Sequence, residues 1–88
     1  MKKLVNVVEI EGEGLEALMG EQVMLFCLNY IYAGVLSGVN ASFVQLTGAK
    51  IVYETGPFME KGYKDAQPLP GEVWYVQTGA IESFGCGK

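Results

Sequence analysis

Residues Val23 to Glu54 read VMLFCLNYIYAGVLSGVNASFVQLTGAKIVYE. Val23 to Asn29 sets Val23, Leu25 and Cys27 on one face of a strand and Met24, Phe26 and Leu28 on the other. A strand apolar on both faces has to be covered twice. From Tyr30 to Val39 the β-formers Ile31, Tyr32, Val35 and Leu36 surround Gly34, where the absence of a Cβ permits a sharp bend. Gly38, Val39, Asn40 and Ala41 form a turn. A third strand then runs through Phe43, Val44 and Leu46, is interrupted at Gly48, and resumes from Ala49 to Glu54.

Working outward, Leu15, Leu18 and Met19 share one helical face, acidic residues lie in the first turn, and Gly20 marks a stop. This spacing predicts one or two helical turns within residues 12–20. Residues 1–11 alternate weakly and fit either an arm or an extra strand. On the other side, Thr55 to Gly71 (TGPFMEKGYKDAQPLPG) holds all three prolines and reads as a long loop. Its Phe58, Met59 and Tyr63 suit either packing back on the domain or a partner-binding tip. Glu72 to Gln77 (EVWYVQ) predicts a fourth strand, Thr78 and Gly79 a tight connection, and Ala80 to Phe84 (AIESF) a fifth, with Gly85 to Lys88 frayed beyond it.

The composition bounds the function. An 88-residue chain makes one domain that buries about 60% of its unfolded surface. Half the residues are apolar and 18% charged, against an average charged share of about 25%. That balance favours self-association. Six lysines, no arginine and ten acidic residues give a net charge of −4. Arginine is the preferred bidentate partner of phosphate and guanine, so its absence argues against strong nucleic-acid binding. The lysines form no dense run and read as solvated surface charge.

There is no histidine. Cys27 and Cys86 therefore lack the usual activating base, no C-x-x-C spacing is present, and the glutamates form no catalytic pair. Neither catalysis nor a metal or other cofactor is expected. A strand cysteine and a tail cysteine read as free thiols of a cytoplasmic protein. No apolar run approaches the roughly 18 residues of a membrane helix, and the start lacks the apolar region of a signal peptide.

The succession of a helical turn and five strands, with the second bent at Gly34 and the last two joined at Thr78 and Gly79, resembles the Sm and Sm-like family, including its Hfq branch. The likeness covers about residues 14–84. Its best part is VMLFCLNYIYAGVLSGVN, where Gly34 falls in the expected bend and Gly38, Val39 and Asn40 stand where the family has a small residue, a hydrophobe and an aspartate. The resemblance implies a mainly β fold: a small, strongly bent, five-stranded antiparallel barrel of SH3-like type over residues 23–84, with the long loop 55–71 between strands 3 and 4.

It also implies a ring of five to seven identical protomers, joined by pairing strand 4 of one with strand 5 of the next. Val73, Tyr75, Ile81 and Phe84 would form that contact. The family's RNA pocket lies on the turns between strands 2 and 3 and between strands 4 and 5, which carries over to Asn40, Ser42, Phe43, Thr78 and Gly79. The chain departs from the pattern there: Asn40 replaces the aspartate, Phe43 stands at the stacking or the base-reading position, and Thr78 replaces the arginine, leaving only Gly79. Asn40 suits a turn, and Phe43 a barrel interior, better than contact with a ligand. A ring of about six copies carries about −24, which repels a polyanion. Two roles follow as expectations: a ring that binds single-stranded RNA weakly or in a non-standard way, or a structural or protein-interaction ring that has lost nucleic-acid binding.

Overall fold

A computed structural model describes residues 14–88; the expected arm or strand at 1–11 and the first two residues of the expected helix lie outside them. The described chain is mainly β. Six antiparallel strands form one sheet: β1 (Gln22–Cys27), β2 (Ile31–Val39), β3 (Phe43–Glu54), β4 (Asp65–Pro68), β5 (Val73–Gln77) and β6 (Ile81–Cys86). The order is β4-β3-β2-β1-β6, with β5 also paired to β3. The strand number is therefore six rather than five. The additional strand, β4, lies inside the segment expected as loop 55–71.

β3 explains how two strands share one neighbour. At twelve residues it is the longest strand, and Phe43 to Thr47 pairs with β5 while Lys50 to Glu54 pairs with β4. Between the halves Gly48 takes φ 59°, in the left-handed region where glycine has no Cβ penalty. The β2–β3 register skips at the same level, from Ala33↔Lys50 to Val35↔Thr47, so Gly34 faces a bulge containing Gly48. A Cβ on Gly34 would stand 3.0 Å from the Thr47 carbonyl oxygen and 3.2 Å from Ala49 Cα. The bend requires a bare backbone on one strand and a left-handed residue on the other.

One face of the bent sheet holds the main core. Val23 and Leu25 of β1, Leu36 of β2, and Val44 and Leu46 of β3 are fully buried, joined by Ala49 and Val76. Trp74, Tyr32, Ile81, Leu15 and Leu18 pack at its margins. Of the one or two helical turns expected, the described residues hold a single 3-10 turn, Leu15–Leu18, between Gly14 (φ 86°) and Gly20 (φ 85°). It is tied to the sheet where Gly20 N–H donates to Leu36 O at 2.8 Å and Leu36 N–H to Glu21 O at 3.0 Å.

The second apolar face of β1 is covered from within the chain. Met24 is buried although it points away from the main core. Gly87 lies over it: a Cβ there would meet Met24 Cγ at 3.1 Å and the Tyr63 hydroxyl at 3.2 Å. Phe58 of the β3–β4 connection packs on Phe26, with ring centroids 6.5 Å apart. Of the two roles open to this connection, Tyr63 takes the inward one, Phe58 touches Phe26 yet stays 61% exposed, and Met59 is 98% exposed. Leu28 departs from the expected alternation. β1 ends at Cys27, whose N–H donates to Tyr30 O at 2.9 Å, and this tight turn leaves Leu28 71% exposed.

The last strand also runs further than expected. β6 continues to Cys86, with Val23 opposite Cys86 and Leu25 opposite Phe84. Gly87 N–H then donates to Gln22 O at 2.7 Å. Residues 85–88 are thus fastened rather than frayed, because the Gln22–Leu25 edge supplies ladder partners. Both cysteines are free thiols. Among the described residues no helix is long and apolar enough to cross a membrane.

Cys27 and Tyr32 sit where the β1–β2 hairpin closes the core, and both acids are harder to ionise than usual. Burial pushes the Cys27 thiol above its ordinary 9.0. Burial first, and then the neighbouring Cys27, Tyr30 and Tyr53, push the Tyr32 phenol above 10.0. The folded chain therefore holds these protons more tightly than the unfolded chain, so their contribution is complete below pH 9 and is lost as pH rises through the raised values. Urea midpoints are expected to be level across neutral pH and to fall above pH 9. The Cys27→Ala variant should delay the onset, whereas a midpoint that rises with alkalinity would contradict the assignment.

Candidate functional site

The β2–β3 turn and the β5–β6 connection meet at one corner of the sheet. Phe43, first in β3, is paired with Gln77, last in β5. Thr78 opens a 3-10 turn, Thr78–Ala80, that leads into β6. Its N–H donates to Ser42 O at 3.0 Å and its hydroxyl to Ala41 O at 2.7 Å. The two turns are therefore bolted together by one residue. Asn40, Ser42, Phe43 and Thr78 form a single cluster, and Gly79 is the middle residue of the adjoining turn, with open space where a Cβ would stand.

The Asn40 side-chain oxygen and the Thr78 hydroxyl are already engaged. Asn40 Oδ1 accepts from Ser42 N–H at 2.7 Å and Phe43 N–H at 2.9 Å, and Asn40 N–H donates to Phe43 O at 3.0 Å. This is an Asx turn, in which a short amide side chain replaces a backbone acceptor. Of the two roles that Asn40 suits, the geometry gives it the turn. Replacing it with alanine leaves two amides without that acceptor and is expected to cost about 1 kcal/mol, lowering the melting temperature by about 4–8 °C in a domain of this size. Calorimetry checks this; an unchanged melt would mean that water serves the two amides equally well.

Phe43 does not fill the interior. Strand alternation turns Val44 and Leu46 inward and sends Phe43 and Gln45 to the opposite face, beside Tyr75. The Phe43 and Tyr75 rings meet edge to face, centroids 5.1 Å apart at 82°, a geometry aromatic pairs favour. Gln45 Nε2 donates to the Tyr75 hydroxyl at 3.0 Å, and Ser37 Oγ donates toward Gln45, whose Oε1 and O lie 3.0 and 3.2 Å away. Phe43 is 38% and Tyr75 53% exposed. The corner thus offers a fixed aromatic surface edged by amides, with no lysine among the residues that build it.

Gln45 and Ser37 were not singled out from the sequence. The signal for Gln45 was available, because it shares the outward face with Phe43 one alternation later. Ser37 owes its place to a register skip between Leu36 and Gly38, which only the paired strands reveal.

Val73, Tyr75, Ile81 and Phe84 occupy the two strands at the ends of the sheet. β5 pairs only with β3, and β6 only with β1, so each keeps one edge without a strand partner among the described residues. Val73 and Tyr75 face outward on β5 and Phe84 is exposed on β6, whereas Ile81 packs partly against the core. No protein-family model matches the sequence, and no curated protein and no solved structure matches it either.

Proposed function

We propose that this chain is an Sm-related module that assembles into a homo-oligomeric ring and acts by binding and scaffolding rather than by catalysis. The observation that carries the reading is that β5 and β6 each lack a second partner among the described residues; the short β4 has an open edge too, but β5 and β6 are the two strands that the Sm resemblance joins between neighbouring protomers. Exposed backbone edges invite strand addition, and one edge of each kind per copy is a head-to-tail contact that closes into a ring. The exposed apolar side chains of Val73, Tyr75 and Phe84 lie on these same strands and would be covered there. The sheet as a barrel of the Sm-like type, and a cytosolic setting suited to two free thiols, belong to this reading.

Light scattering on a sizing column decides the assembly. At tens of micromolar the expected mass is about five to seven times the 9.6 kDa protomer. The Ile81→Lys variant should reduce it, and a monomer at that concentration would end the proposal.

As to the ring's cargo, the engaged state of Asn40 and Thr78 favours a structural or protein-interaction role. Single-strand binders combine base stacking with a basic groove, and the corner has the first without the second. RNA binding is the second reading, favoured by the exposed Phe43 and Tyr75 rings. Fluorescence polarisation with oligo-U and oligo-A at low salt separates the two. Salt-sensitive binding lost in Phe43→Ala supports RNA, and no binding at micromolar ring supports the scaffold.

A further inference from the structure

The β3–β4 connection builds a site for an ammonium group. Lys88 Nζ donates to Thr55 O at 2.6 Å and to Pro57 O at 2.7 Å. It also stands 5.7 Å from the centroid of the Phe58 ring and 5.3 Å from that of Tyr63. Two carbonyls thus take two of the three N–H donors, while two π faces attract the charge.

The parts of this site are held in place without Lys88. Thr55 O also accepts from Lys64 N–H at 3.4 Å, and Pro57 O from Glu60 N–H at 3.1 Å. A carbonyl oxygen has two lone pairs, so these backbone bonds shape the segment and leave the second lone pair of each oxygen for an outside donor. Phe58, 61% exposed, rests one side of its ring against Phe26. Tyr63 is fixed by position: its hydroxyl is buried beside Gly87 and has no hydrogen-bond partner.

We propose that residues 55–63 form a receptor for a primary alkylammonium group, filled in cis by Lys88 and open to an ammonium from another molecule once Lys88 is removed or neutralised. A tethered ligand has an effective concentration in the millimolar range, so Lys88 excludes dilute competitors. Two carbonyl acceptors require a cation that donates hydrogen bonds, which separates a primary ammonium from a quaternary one.

The test uses the full chain carrying Lys88→Ala, titrated with n-butylammonium chloride at constant ionic strength and followed by the amide resonances of residues 55–63. Saturable shifts with a midpoint on the order of 10 mM are expected. Wild type should respond at least tenfold more weakly, the Lys88→Ala/Phe58→Ala pair should not saturate, and tetramethylammonium should produce no comparable shift. Lys88→Met, which keeps the apolar stem, is a second host under the same criteria. The proposal is overturned if neither host gives saturable shifts, if wild type responds as strongly, or if tetramethylammonium is equally effective. Loss of the segment's dispersed resonances in both hosts overturns it too, because the receptor then does not exist without Lys88.

Discussion

Truncating Leu46 to alanine is expected to destabilise the protein by about 2–5 kcal/mol. Leu46 is fully buried, stands opposite Leu36 in β2 and Trp74 in β5, and so joins the two sides of the core through β3. Strands on either side prevent the backbone from collapsing into the space the side chain leaves. Domains of this size are stable by only about 5–15 kcal/mol, so the melting temperature should fall by about 8 °C or more. Leu28→Ala is the internal control. The same side-chain change in the exposed β1–β2 turn should stay within about 0.5 kcal/mol. Equal losses at the two positions in urea titrations would mean that burial does not govern either.

The second large effect is expected at Gly34, from overfilling rather than from a void. The first carbon of any side chain would press on the Thr47 carbonyl oxygen, Ala49 Cα and Leu46 Cβ, all within 3.3 Å. Two of these are backbone atoms of a strand paired on both sides, so they cannot rotate away. Gly34→Ala should cost about 1–3 kcal/mol, and Gly34→Val, with two further methyl groups, about 3 kcal/mol or more. Chemical denaturation of both variants tests this. A valine variant with the wild-type midpoint would show that the bend opens easily, and the tight β2–β3 approach would have to be abandoned as its cause.

Local pattern made much of this fold legible. The interruption at Gly48, the bend at Gly34 and the strands around them are visible as periodicity broken by glycine. That the two glycines face one another is not, because it depends on a register set by the whole sheet. β1 shows the limit most clearly. Two apolar faces demand two covers, but the residues cannot say whose, and the second is supplied by Phe58, Tyr63 and Gly87 of the same chain. β4 was hidden because Asp65 and Pro68 are poor strand formers; its pairing with Ile51 and Val52 outweighs that propensity. The pattern Leu15, Leu18 and Met19 fits an α-helix and a 3-10 turn alike, and the flanking left-handed glycines decide between them.

At the candidate site, turn chemistry was readable at Asn40 and the orientation of Phe43 was not. Alternation puts Val44 and Leu46 in the core and Phe43 on the other face, and the pairing with β5 sets that ring against Tyr75. Lys88 left no trace in the pattern. One side chain reaching two distant carbonyls has no period.

The pairing of Val23 with Cys86 has a further consequence for how the molecule comes into being. Hairpins β1–β2 and β2–β3 join near neighbours in sequence and can form early, but the β1–β6 ladder closes a loop that spans nearly all the described residues. Topologies dominated by such distant pairings fold on a scale of milliseconds to seconds. During synthesis, the β6-facing edge of β1 and the apolar face over Met24 must wait, uncovered, until β6 and Gly87 leave the ribosome. The interval between emergence and closure is when this chain is most exposed to pairing with the wrong strand.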